Sequence, residues 1–143
     1  DVEVFDKPRT SVRGTLRASK SPEQTADFSP RYTQGLFDDK GRLFENLVFI
    51  NLRKNTKEIF YFQGKNECDF LIREGIDIVQ AIQVCYELNE DNRKREIDGL
   101  SEAMKKFKLR EGLILTFDQE DEMKVDNKLI RLLPVWKWLL EEK

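Results

Sequence analysis

The stretch NECDFLIREGIDIVQAIQVCYEL, residues 66–88, decides the fold because it holds two strand-like runs separated by one turn at Gly75. ECDFLIRE and DIVQAIQVCYEL are each rich in apolar residues that alternate or run together as β-strands do. A polar residue stands inside each run, where a strand is expected to bury Val or Ile: Asp69 in the first and Gln83 in the second. The stretch therefore predicts a hairpin that carries an acid and an amide at interior positions.

Side-chain alternation predicts which residues share a face of this hairpin. The first strand is expected to divide into Glu67, Asp69 and Leu71 on one face and Cys68, Phe70 and Ile72 on the other. In the second strand, Gln83 is grouped with Val79, Ala81 and Cys85. If the strands pair through the Gly75 turn, Asp69 and Gln83 meet on the same side of the sheet.

The segments around the hairpin extend it into an α/β domain. An apolar helical face follows Gly41, a strand covers residues 58–64, a second helix starts at Asp91, strands cover 111–117 and 128–135, and a terminal helix carries Trp136 and Trp138 as a core plug. We expect a mixed sheet flanked by helices. The first three strands should form an antiparallel meander, and the strand after the second helix should run parallel to the third.

The N-terminal part of the chain has a different composition. Residues 1–38 are rich in Ser, Thr, Pro and charge, which predicts an arm or linker with a short extended piece at VEVF, followed by a domain over residues 39–143. We expect residues 1–35 to be less ordered than the rest of the chain, or held only by a neighbouring chain. Its basic run, residues 7–20, contains no acid and is either a solvated linker or a contact for DNA.

Composition excludes several kinds of chemistry. The 143 residues carry a net charge of −2, no histidine and two cysteines. A histidine general base, a Ser–His triad and the usual zinc sites are therefore excluded. Cys68 and Cys85 are expected to be core thiols of a cytoplasmic protein. The chain has no apolar run that could span a membrane and no phosphate-binding GxxxxGK[ST] loop.

Carboxylate and amide oxygens are the remaining candidates for a functional centre. If Glu45 on the first helix covers the face that holds Asp69 and Gln83, the three oxygens form a cradle for Mg²⁺ or Mn²⁺. Such an ion polarises a phosphodiester and activates water without histidine. The alternatives are that Asp69 faces solvent or pairs with an arginine, and that Gln83 hydrogen-bonds Asp69 or Glu45 to hold the fold.

Three parts of the sequence together resemble the signature of PD-(D/E)XK nucleases: Glu45 on the first helix, then Asp69, then the run Gln83–Val84–Cys85. Seven pieces of the sequence resemble the nuclease-like domain that follows the ATPase module of archaeal and bacterial AAA-type ATPases. In chain order they are GRLFENLVFINLRKN, IFYF, NECDF, IQVCYEL, REIDGL, LILT and LLPVWKWLL. The resemblance implies a restriction-endonuclease-like αβββαβ core and hydrolysis of DNA phosphodiesters. It also implies that Glu45 and Asp69 are metal-site acids and that Gln83 takes the (D/E) place.

The sequence departs from that signature at two places. Cys85 stands where active nucleases have a lysine, and a buried thiol cannot supply its positive charge. Lys65, Arg93 and Lys94 are nearby candidates for a relocated cation. Arg93, Lys94 and Arg95 could contact nucleic acid, although Arg93 and Arg95, together with Glu96, also fit a solvated helix face.

Two functional classes follow. One is a metal-dependent nuclease acting on DNA, weakened or inactive because of Gln83 and Cys85. The other is a degenerate nuclease fold that binds nucleic acid or a partner protein for an attached ATPase module. The sequence leaves the oligomeric state open.

Overall fold

A computed structural model of the chain describes residues 3–5, 30–55 and 58–141. Within these residues, three helices and seven strands follow one another along the chain. Their bounds are β1 (Glu3–Phe5), α1 (Pro30–Asn55), β2 (Ile59–Gln63), β3 (Glu67–Glu74), β4 (Asp77–Val84), α2 (Glu90–Lys106), β5 (Glu111–Thr116), β6 (Asp121–Val125), β7 (Lys128–Pro134) and α3 (Val135–Glu141).

The strands form one mixed sheet in the order β1-β2-β3-β4-β5-β7-β6. Neighbours from β1 to β4 are antiparallel, and short turns join β2 to β3 and β3 to β4. β5 lies parallel to β4 after the crossover through α2, and β7 lies parallel to β5. The predicted α/β fold, the antiparallel meander and the parallel crossover are confirmed.

Each face of the sheet is covered by helices over its own apolar core. On one face, Val48 and Leu52 of α1 and Trp138 of α3 pack with buried sheet residues such as Phe70 and Ile82. On the other face, α2 contributes Leu100, Ala103 and Met104 to a cluster with sheet residues that include Leu71, Ala81 and Ile114. Burying this apolar surface on both faces is the main stabilising contribution to the fold.

Helix α2 begins and packs in a way that the local sequence dictates. Asn89 caps the helix by accepting hydrogen bonds from the backbone N–H groups of Asp91 and Asn92, and the Asn92 side chain accepts from the Asn89 N–H in return. Gly99 then lets the helix approach β3 closely, because a Cβ there would lie 2.1 Å from the carbonyl oxygen of Glu67. Cap and glycine together fix how the first two turns of α2 lie against the sheet.

Helix α1 begins earlier than the sequence predicted. It starts at Pro30 rather than after Gly41, so residues 30–38 of the predicted arm are helical. Proline is favoured in the first turn of a helix because its missing N–H would have no partner there. The strand at Glu3–Phe5 agrees with the predicted extended piece at VEVF. Most of the predicted arm, including the basic run 7–20 and the expected low order, lies outside the described residues.

Two further differences concern the C-terminal part. Strand β6 was not predicted, because three of its five residues are charged and the other two are only half-buried, so it lacks the apolar signal of an interior strand. The tight turn to β7 uses Asp126 and Asn127 with φ of 50° and 63°, values that Asp and Asn tolerate well. Only one of the two tryptophans predicted to fill the core does so, because Trp138 is buried whereas Trp136 is exposed.

Within the described residues, no helix combines the length and the apolar character needed to cross a membrane.

Candidate active site

Strands β3 and β4 separate at the point where their polar interior residues stand. Their backbone pairing ends at Phe70 and Ile82, whereas β4 continues beside β5 as far as Val84. Side chains bridge the gap: the Asp69 N–H donates to Gln83 Oε1 over 2.9 Å, and the Val84 N–H donates to Asp69 Oδ2 over 2.9 Å. The acid and the amide therefore satisfy backbone groups that lose their strand partner, which explains polar residues in these two apolar runs.

A β-bulge in β3 lies at the same place. Phe60 pairs with Leu71 and Phe62 pairs with Cys68, so β3 has one more residue than β2 between these pairs. The bulge places Cys68 in the apolar cluster of Leu71, beneath α2. The prediction that Cys68 shares a face with Phe70 and Ile72 is therefore wrong, because simple alternation does not continue through an extra residue.

Glu96 of α2 extends this hydrogen-bond network from the helix to Gln83. Its Oε2 accepts a hydrogen bond from Gln83 Nε2 at 2.6 Å, and its Oε1 accepts from Arg95 Nη2 at 2.8 Å and from Arg95 Nε at 3.2 Å. Only 6% of Glu96 is exposed, so the expectation that it lies on a solvated face is wrong. Its spacing gave a signal: Glu96 precedes the core residues Leu100 and Ala103 by four and seven positions, which is the repeat of one helix face.

An open cavity of about 1110 Å³ contains this arrangement. Glu45, Asp69, Gln83 and Cys85 all line it, together with Arg95 and Glu96. The structure thus brings together the four residues that the sequence selected for metal binding and catalysis. The cavity lining also carries five acids, Glu45, Glu67, Asp69, Glu87 and Glu96, and three cations, Arg42, Lys65 and Arg95.

The three basic residues selected for nucleic-acid contact have different surroundings. Arg95 lines the cavity, whereas the described lining includes neither Arg93 nor Lys94. Lys94 pairs with Asp98 one turn along the helix, with 2.5 Å between Nζ and Oδ2. Arg93 extends towards the edge of the sheet, where its Nη2 lies 3.7 Å from Met123 Sδ. Of the three, Arg95 is the one placed to meet a ligand of this cavity.

Cys85 is a neutral thiol in this environment. Burial raises its pKa to about 12, with further contributions from the negative charges of Glu96 and Asp69. The side chain therefore supplies neither a thiolate nucleophile nor a positive charge at neutral pH. Cys68 and Cys85 are both free and buried, in agreement with the expectation of core thiols.

The donor set allows only a sparsely ligated metal ion. Among the residues that the structure describes, no three His, Cys, Asp or Glu side chains group closely enough to hold one. Gln83 already accepts from the Asp69 N–H and donates to the Glu67 carbonyl and to Glu96, which is the structural role left open by the sequence. Mg²⁺ commonly keeps several waters and takes one or two carboxylates, and the cavity lining includes the carboxylates of Glu45 and Asp69.

The turn between β2 and β3 brings Lys65 to the mouth of the cavity. The Glu102 carboxylate accepts hydrogen bonds from the backbone N–H groups of Lys65 and Asn66 and from the Asn66 side chain. Although desolvation opposes it, this set of donors, with the charge of Lys65, lowers the pKa of Glu102. A residue near the middle of α2 thereby fixes the loop beside the site.

An aromatic cluster forms another part of the cavity wall. Tyr86, which lines the cavity, stacks on Phe117 with 5.0 Å between ring centroids and contacts Phe44 edge-on at 5.6 Å. The Lys40 ammonium lies over the Tyr86 ring, 5.3 Å from its centroid. These contacts tie α1, which carries Glu45, to the strand ends.

Comparisons with known proteins support the chain's membership of a family without assigning it an activity. Residues 40–138 match the family described as "Domain of unknown function (DUF4143)". An uncharacterized protein of the archaeon Methanocaldococcus jannaschii is 43% identical over 113 residues, which cover 71% of this chain and 25% of that protein. The chain thus spans about a quarter of the length of this relative. No solved structure matched the chain.

Proposed function

The chain belongs to the DUF4143 family, and we propose that it is a nuclease-like domain of the PD-(D/E)XK type that acts on DNA phosphodiesters with Mg²⁺ or Mn²⁺. One observation carries the proposal. Glu45, Asp69, Gln83 and Cys85 occupy the four positions of the nuclease signature, the first two with the expected acids, and all four line one cavity where β3 and β4 separate. Residues far apart in the sequence meet there, and the core packing alone does not require that.

The chemistry follows from the groups in the cavity. A bound Mg²⁺ or Mn²⁺ supplies positive charge to the phosphate and lowers the pKa of a water that can attack it. Asp69 and Glu45 would hold the ion through their carboxylates. Gln83 fixes the Asp69 backbone through the hydrogen bond to its N–H, so its role is to position the acid. The cavity is open to solvent, which allows a nucleic-acid strand to enter.

The partner assignments come from the resemblance and from the size of the relative. That relative is about four times as long as the matched segment, so further parts of a protein of this type can accompany the domain. We propose that one of them is an AAA-type ATPase module and that the domain acts on DNA for it. Two free, buried cysteines are compatible with the reducing cytoplasm that we propose as its location.

A second candidate function is a degenerate nuclease fold that binds nucleic acid or a partner protein without cleaving it. Two observations favour it. Gln83 uses its oxygen and its nitrogen in hydrogen bonds that hold the strand ends, and Cys85 is a neutral thiol where a lysine would be required. A site that keeps its architecture while it loses charge is typical of a binding module.

Plasmid nicking separates the two functions. The purified 143-residue chain is incubated with supercoiled DNA and Mn²⁺ or Mg²⁺, with and without chelator. We expect metal-dependent nicking that Asp69→Asn abolishes, since the substitution removes the charge but keeps an oxygen that can accept from the Val84 N–H. Asp77→Asn, an exposed acid at the far end of β4, is the matched control and should nick normally. Binding of DNA without nicking under any of these conditions would favour the degenerate module.

A further inference from the structure

The cation that the nuclease signature places on β4 is missing, but a fixed cation stands beside the same cavity on α2. The Arg95 side chain is 75% exposed, yet its guanidinium is held through Nε and Nη2 by one oxygen of Glu96. Glu96 is itself buried and bound to Gln83, the residue at the altered acid position. The position of Arg95 is thereby linked to the strand ends through two hydrogen-bonded side chains.

We infer that Arg95 is the phosphate-binding residue of this cavity and that Glu96 positions it, so that helix α2 supplies the cation that is missing at Cys85, directly after β4. The inference rests on the proposed function, because the ligand is taken to be the phosphate backbone of a nucleic acid. It adds a residue and a role that lie outside the nuclease signature, since Glu96 and Arg95 occupy none of its four positions.

The geometry of the guanidinium supports this role. Arginine has five N–H donors in a planar fork, and Glu96 engages one on Nε and one on Nη2. Three donors are left for a phosphate, which arginine commonly binds in a bidentate manner. The hydrogen bond to Glu96 also raises the pKa of Arg95, so the group stays charged at any physiological pH.

Burial of Glu96 explains why it forms these contacts. A carboxylate with 6% exposure is costly unless charged or polar donors surround it. Arg95 and the Gln83 amide are those donors, and Gly99, one turn further along α2, lets the helix lie close enough for the contact with Gln83. Arg42, another basic residue of the lining, pairs instead with the exposed Asp39 of its own helix, 3.6 Å away.

Binding of short fluorescein-labelled single-stranded DNA tests the inference, with anisotropy measured in Ca²⁺ over a series of salt concentrations. We expect Arg95→Met to raise Kd about 5- to 10-fold and to lower the slope of log K against log salt by about one. Lys94→Met, the neighbouring cation outside the cavity, is the matched control and should change Kd less than about twofold. Arg95→Lys, which keeps the charge but loses the fork, should retain part of the affinity.

The positioning role of Glu96 has its own readout. Glu96→Gln should weaken binding in the wild-type background but have no further effect when Arg95 is already methionine, because its influence passes through the guanidinium. Equal effects of Glu96→Gln in both backgrounds would overturn this role. Urea denaturation of each variant identifies any loss of affinity that comes from unfolding.

The outcomes separate the inference from the proposed function. If the wild type binds DNA and Arg95→Met behaves like Lys94→Met, the inference is wrong while the proposed function stands. If the folded wild type binds no DNA at all, both are wrong. A selective loss in Arg95→Met, partly recovered in Arg95→Lys, supports the inference.

Discussion

The side-chain oxygen of Gln83 accepts a hydrogen bond from the backbone N–H of Asp69, 2.9 Å away, across the gap where two antiparallel strands stop pairing. The Asp69 carboxylate returns the contact by accepting from the N–H of Val84. The two side chains therefore take the place of backbone hydrogen bonds between the strands. They also hold the acid at the opening of the cavity, so that the same contacts serve the fold and the site.

Restoring the acid at position 83 is expected to destabilise the protein. In Gln83→Glu a second carboxylate would stand at the position now 2.6 Å from Glu96 Oε2, and the donor to Glu96 would be lost. We expect the free energy of unfolding at pH 7 to fall by about 1–3 kcal/mol, as for other buried polar groups left without a partner. Urea denaturation measures it.

Two controls test this explanation of the lost stability: its dependence on pH, and a double variant in which the acid and the amide are exchanged. Repulsion raises the pKa of the introduced carboxyl in the folded state, so its protonated form is favoured there. The deficit should therefore be small at about pH 4 and grow as the pH rises through the raised pKa. The double variant Gln83→Glu/Glu96→Gln places an amide opposite the new acid and should recover part of the loss. A single variant as stable as the wild type at pH 7 would contradict the proposed contact.

The close approach of α2 to β3 predicts opposite effects of two glycine substitutions. Gly99→Ala places a methyl group 2.1 Å from a backbone oxygen that cannot move aside easily, so we expect a loss of about 1–3 kcal/mol in unfolding free energy. Gly41→Ala lies in α1 with no atom within 4 Å of the new Cβ and should stabilise by about 0.5–1 kcal/mol. Thermal melting of both proteins tests the pair, and a tolerated Gly99→Ala would argue against this packing.

The environment of Cys85 predicts an unreactive thiol. With a pKa of about 12, it should not react with a thiol-specific disulfide reagent at pH 8 in the native protein, whereas unfolding in urea should expose both cysteines. Rapid labelling of Cys85 without urea would contradict this prediction, because it would mean that the thiol is more exposed or has less negative charge around it than the structure shows.

The same shift makes a prediction about alkaline stability. The folded-state pKa lies above the ordinary value of 9.0, so the stabilising contribution of the protonated thiol is present below about pH 9 and is lost as the pH rises towards 12. Tyrosine and lysine titrate in the same range, so the comparison is with Cys85→Ala. The fall in unfolding free energy between pH 9 and 11 should be smaller in that variant.

Much of the fold could be predicted because its signals are local. Alternation in residues 67–84, the Gly75 turn and the change of period after Asp91 are sufficient for the meander and the crossover. The meeting of Asp69 and Gln83 follows from the same turn, since the register of a hairpin determines which residues face each other. The first helix alone left the direction of Glu45 open, and the resemblance to nucleases implied its place at the cavity.

The parts that sequence reasoning missed depend on contacts between distant segments. The bulge that moves Cys68 to the other core reflects a mismatch between two strands, which neither strand shows alone. Glu96 reads as one charge among several on a charged helix, and only its contacts with Gln83 and Arg95 explain its burial. Strand β6 is visible through its pairing with β7 and not through its own composition.

Binding of Mn²⁺ by calorimetry at neutral pH tests the central claim most directly, because it does not depend on turnover. We expect about one ion per chain for the wild type, held by few protein ligands and several waters. Asp69→Asn and Glu45→Gln should each abolish or strongly weaken this binding, whereas Glu87→Gln, which removes an exposed acid from the same cavity lining, should leave it within about twofold. No Mn²⁺ binding by the folded wild type, or equal affinity in all three variants, would contradict a metal centre at Glu45 and Asp69.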